Sequence, residues 1–95
     1  STQQLIVKVD ESSYKNADII FVTGSIKSAV GESVELSIKD TNNVKIWKEF
    51  VDIKNDGQFS TLVIAGGNGW ENDGVYALIA EQGDLENEIE FKFVA

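Results

Sequence analysis

The chain has 95 residues, a formal net charge of −8, and no Cys, His, Met, Pro or Arg. Its length suits one domain with one core. Without thiol or imidazole there is no Cys or His nucleophile, no Ser-His-Asp arrangement and no ordinary zinc or copper site. The charge is uneven: residues 1–54 hold seven Lys against eight acids, and residues 55–95 hold only Lys92 against eight acids. Such a surface repels phosphate, so neither nucleic acid nor an anionic membrane is an expected partner. No apolar stretch is long enough for a membrane-spanning helix. Ser1-Thr2-Gln3-Gln4 does not open a signal peptide, and the abrupt ends suggest a single domain, 1–95, excised from a larger protein.

Taken in order, Leu5 to Val9 alternates as a first strand, with Leu5, Val7 and Val9 sharing a face. Asp10-Glu11-Ser12-Ser13 reads as a polar connection anchored by Tyr14. Ile19 to Ile26 is a second strand, apolar on both faces at its start and therefore central, with Gly24 marking a bulge or a close backbone approach. Residues 28–33 form a turn. Val34 to Asp40 follows, with Val34, Leu36 and Ile38 inward, and Asp40-Thr41-Asn42-Asn43 closes a hairpin.

The return strand, Val44 to Ile53, is inconsistent: Val44, Ile46 and Phe50 share one parity, and Trp47, Val51 and Ile53 the other. A bulge or kink near Lys48-Glu49 would reconcile them. If Trp47 faces the core, Ile46 and Phe50 form a small exposed patch suited to a neighbouring domain.

The most informative stretch is 55–76. An Asn55-Asp56-Gly57 turn leads into a strand from Gln58 to Ile64; the glycine-rich loop Ala65-Gly66-Gly67-Asn68-Gly69-Trp70 follows; then Asn72-Asp73-Gly74 turns the chain toward Tyr76. The next strand, Val75 to Glu81, puts Tyr76, Leu78 and Ala80 on one face. The last, Glu86 to Val94, turns Ile89, Phe91 and Phe93 inward and Glu88, Glu90 and Lys92 outward. Nothing sustains a helical period. Seven strands with regular turn signals, an aromatic-plugged loop and a tyrosine opening a late strand predict an all-β, seven-stranded, antiparallel immunoglobulin-like sandwich.

Three candidate sites arise. Trp70 is either a lid over the core, seated on Phe59, Leu62 and Tyr76, or a platform for a sugar ring; Trp47 is the second such platform. The pairs Asp40 with Asn42, Asn55 with Asp56, and Asn72 with Asp73 carry oxygens of the kind calcium takes, yet none matches the twelve-residue loop with a terminal glutamate, and all are turn formers. No carboxylate pair is marked as facing across a cleft, and the glycine-rich loop lacks the Lys-Ser/Thr ending of a phosphate loop.

The runs Val22-Thr23-Gly24-Ser25, Val34 to Asn43, Asp56-Gly57-Gln58-Phe59-Ser60 through Trp70, and Gly74-Val75-Tyr76 together resemble the immunoglobulin-like modules of archaeal secreted and S-layer-type proteins, found in ammonia-oxidising archaea. The likeness covers about Ile19 to Val94; the hairpin departs from it, with Asp40-Thr41-Asn42-Asn43 where that family has D-P-x-G. It implies a non-catalytic structural or adhesive module at the cell surface, with neighbouring domains or surface proteins as partners, no cofactor and no catalytic residue. The alternative is a carbohydrate-binding module that takes polysaccharide on Trp70 or Trp47.

Overall fold

A computed structural model describes residues 4–27 and 32–95; the turn expected over 28–33 falls largely outside the described residues. The described residues form eight strands and no helix: β1 (Leu5–Val9), β2 (Ser13–Lys15), β3 (Ile19–Ile26), β4 (Ser33–Lys39), β5 (Lys45–Asp52), β6 (Gln58–Ile64), β7 (Gly74–Gln82) and β8 (Leu85–Val94). One sheet has the order β1-β3-β6 and the other β2-β8-β7-β4-β5, packed as a β-sandwich.

The strand beyond the expected seven is β2. Polar Ser13 and Lys15 hide it in the sequence, but between them Tyr14 is buried, and β2 runs parallel to β8, pairing Tyr14 with Phe93. Every other pairing is antiparallel. Tyr14 Oη donates to Asp10 Oδ1 at 2.6 Å and accepts from the Glu11 N–H at 2.9 Å, which ties the connection from β1 down to this short strand.

Period-two alternation builds the core. Leu5, Val7, Ile20, Val22, Ile26, Phe59 and Val63 come from the inner face of the small sheet; Val34, Leu36, Ile38, Tyr76, Leu78, Phe91 and Phe93 come from that of the large one. Gly24 is a close approach and not a bulge, since register runs unbroken through it on both sides. A Cβ there would land inside the Phe59 ring and 2.5 Å from the Ile6 carbonyl oxygen.

The break in register is in β5, though not at Lys48-Glu49. Ile38 pairs with Trp47 and Lys39 with Lys45, so Ile46 is the extra residue. From Trp47 onward the inner positions are Trp47, Glu49 and Val51, and Phe50 faces out; the bulge turns Ile46 inward as well, and Ile46 and Trp47 both pack half-buried against the core. The sandwich is closed along its long sides by polar contacts. Thr61 Oγ1 reaches Glu49 at 3.2 Å, linking β6 to β5, and the outward N–H of Val7 donates to Asn87 Oδ1 of β8 at 2.9 Å.

Candidate interaction surface

Aromatic side chains gather at the end of the sandwich where β6 stops and β7 begins. Positive φ at Gly66, Gly67 and Gly69 (103°, 94° and 90°) lets the loop after β6 fold back, and the Trp70 N–H bonds the Gly67 carbonyl at 3.0 Å. Its indole is 6% exposed. It stacks on Tyr76 with centroids 5.0 Å apart and 11° between planes, and meets Phe93 edge-on at 5.0 Å. Tyr76 Oη donates to the Asn72 carbonyl at 2.7 Å, the corner contact expected of a tyrosine opening a late strand. Burial pushes the pKa of Tyr76 up, and that of Tyr14 up to about 12, where hydrogen bonding to Asp10 adds to the effect.

Trp70 is therefore a lid and offers no free ring face to a sugar. The floor beneath it differs from the expected one: Tyr76 belongs to it, Phe91 and Phe93 complete it, and Leu62 lies on the opposite side of its strand, 57% exposed. Phe59 is buried, but at the far end, against Gly24. Trp47 is half-buried at the sheet edge. The expected patch of Ile46 with Phe50 does not form, because the bulge turns Ile46 inward against Gly69; Phe50 stands out alone, 59% exposed, with Lys48 Nζ 5.8 Å from its ring centroid.

Two of the three calcium candidates are turn caps, and the third ties down the C-terminal residue. Asp40 Oδ1 accepts from the N–H groups of Asn42 and Val44, Asp56 Oδ1 from that of Gln58, and Asp73 Oδ1 from that of Ala95. Asn43, at φ 67°, takes the left-handed position of the hairpin loop. Among the described residues no three acidic side chains converge as a metal site would require.

The apolar surface lies elsewhere, on the outer face of the small sheet. Cross-strand partners Ile19 and Ile64 sit beside the pair Phe21 and Leu62; the four are 47%, 66%, 48% and 57% exposed. Their signal in the sequence was continuous apolar runs, Ile19 to Val22 and Leu62 to Ile64, where a half-buried strand would alternate. Below the patch the same face turns polar, in an open hollow of about 190 Å³ lined by Ile6, Lys8, Thr23, Gly24, Ser25 and Gln58.

Carboxylates divide unequally between the two outer faces. The outward positions of β1, β3 and β6 carry Lys8 and no carboxylate. Those of the large sheet carry Glu35, Asp52, Glu81, Glu86, Glu88 and Glu90 together with Lys15, Lys39, Lys45, Lys48 and Lys92, and Lys45 Nζ lies 3.6 Å from Glu35. The hollow on that side, about 300 Å³ between Ser12, Val75, Glu90, Phe91 and Lys92, is likewise an open depression.

No protein-family model and no curated protein sequence matches the chain. Among solved structures, it is similar to the sulfur carrier protein SoxY from Chlorobium limicola f thiosulfatophilum. The two share 11% sequence identity with a TM-score of 0.50, over 99% of this chain and 82% of that one. At that identity the likeness is one of fold.

Proposed function

We propose that this chain is an immunoglobulin-like sandwich acting as a non-catalytic structural or interaction module of an extracellular, cell-surface protein. Three features support the immunoglobulin-like type: the sheet orders β1-β3-β6 and β2-β8-β7-β4-β5, the parallel pairing of β2 with the last strand, and the tyrosine corner at the start of β7. The cell-surface setting rests on the likeness of its turn and loop motifs to archaeal surface modules.

The observation that carries the interaction reading is the contrast between its aromatic and its apolar surfaces. Trp70 is packed into the fold and Trp47 is half-buried, whereas four large aliphatic and aromatic side chains stand together on one sheet face. A contiguous apolar sheet face suits a protein partner, and a sugar site needs an open ring or a cleft. The test is titration of the domain with a panel of polysaccharides while tryptophan emission and quenching are followed. Emission that stays blue-shifted and unmoved by every glycan is the expected result. Saturable glycan binding that disappears in Trp47→Ala would make the domain a carbohydrate-binding module instead.

A further inference from the structure

We infer that the outer face of the small sheet is a self-association surface, and that its occupant is the same face of a second copy of this chain. This deepens the module reading above and rests on it. Ile19, Phe21, Leu62 and Ile64 are contiguous through their cross-strand pairing and together expose roughly 400 Å² of apolar surface, which is patch-sized and not the scattered exposure usual for single residues.

Charge selects the occupant. A protein of net charge −8 resists its own copies wherever carboxylates would meet. The small sheet is the face on which they do not, since its outward positions hold Lys8 and no acid. At its margin, Asp10 is engaged by Tyr14 Oη and the Phe21 N–H, and Asp18 by the Lys15 N–H. Stacking two sandwiches through this face makes four layers about 10 Å apart. The outer sheets, whose outward positions hold the carboxylates, then lie about 30 Å from each other, several Debye lengths at physiological salt.

The arrangement is also self-complementary. A two-fold axis near the Phe21–Leu62 pair sets each apolar row against its counterpart and each polar hollow beyond it. Adding that polar margin to the patch gives an interface of roughly 1,200 Å², the low end for specific complexes, so pairing is weak and reversible. Edge-to-edge joining is disfavoured on the same sheet, where Asn87 occupies the Val7 N–H of β1 and the Thr61–Glu49 contact lies beside β6.

The test is sedimentation equilibrium of the 95-residue chain over a wide concentration range, with amide chemical shifts recorded on dilution. The expected result is an average mass that rises from 10.4 kDa toward twice that value. Dilution shifts should cluster on Ile19, Phe21, Leu62 and Ile64, and added salt should strengthen pairing by screening the residual repulsion. Leu62→Lys should remain folded, since its side chain points to solvent, and stay monomeric; Phe50→Ser, on the other sheet, should pair like the parent. A parent that stays at 10.4 kDa throughout, a dimer that survives Leu62→Lys, or shifts that map to the large sheet would overturn the assignment. A monomeric parent would leave the module reading standing, whereas glycan binding would remove that reading without touching the association data.

Discussion

Tyr76 lies flat against Trp70, 5.0 Å between centroids, while its hydroxyl holds the Asn72 carbonyl in the turn that carries the chain from one residue to the other. One side chain thus fastens both the lid and the loop beneath which the lid closes. Tyr76→Phe keeps the stacking and removes the hydrogen bond. The expected loss is about 0.5–1.5 kcal/mol, read from urea denaturation, with no change in the denaturant dependence. An unaltered midpoint would take the corner out of the account.

Trp70→Ala should cost about 3–5 kcal/mol, because it opens a cavity over Tyr76, Phe91 and Phe93 that the glycine-rich loop has no side chain to fill. Thermal unfolding followed by circular dichroism checks this. A variant of parental stability would mean that the loop collapses to close the gap.

Gly24→Ala is expected to be disruptive although it adds one methyl group. The new carbon meets the Phe59 ring on one side and the Ile6 carbonyl on the other, so either the ring leaves its rotamer or β1 moves off β3. Overpacking of this kind costs about 1–3 kcal/mol. Gly67→Ala makes a useful contrast, with no atom within 4 Å of the added carbon, so that only its φ of 94° resists the change.

The Tyr14–Asp10 pair predicts pH dependence at both extremes. The folded pKa of Tyr14 is raised from 10.0 to about 12, so the fold favours its neutral form. That contribution is complete below pH 10 and is lost as pH rises through about 12. Asp10, whose pKa is lowered mainly by the Tyr14 hydroxyl, contributes above its ordinary value of 3.8 and loses that contribution as pH falls below it. Melting temperature against pH should therefore decline on both limbs. Asp10→Asn should flatten its share of the acid limb, and an unchanged acid profile in that variant would refute the coupling.

The excess of acid in residues 55–95 predicts that sodium chloride raises the melting temperature about as far as calcium does at matched ionic strength, by screening alone. Stabilisation that saturates at low calcium with no sodium counterpart would reveal a cation site among the turn carboxylates.

Much of the architecture was legible because burial imposes a period of two. Gln58–Ile64 has the bounds its alternation indicated, and Val34, Leu36 and Ile38 point where their spacing put them. Failures occurred where local pattern and long-range pairing part company. The parity conflict in β5 announced a bulge, but only the ladder to β4 fixes Ile46 as the extra residue. Tyr14 shows its burial only through a parallel partner at the opposite end of the chain. Leu62 is near the lid in sequence but not in space, since residues three apart on a strand face opposite ways and Leu62 points away from the side that buries Phe59. The exposed patch was hidden for a related reason: an apolar run says that both faces of a strand are apolar, without saying whether a second layer covers each.

The bond from the Val7 N–H to Asn87 joins an edge of one sheet to a strand of the other, so it exists only while the two sheets are closed on each other. Any fluctuation that separates the sheets frees an unpaired β1 edge and bares Leu5 and Val7 in the same event. A template for amyloid-like strand addition is thereby locked inside the cooperative unit. Aggregation should track the fraction of opened molecules and be negligible below it, and Asn87→Ala is the change that would uncouple the two.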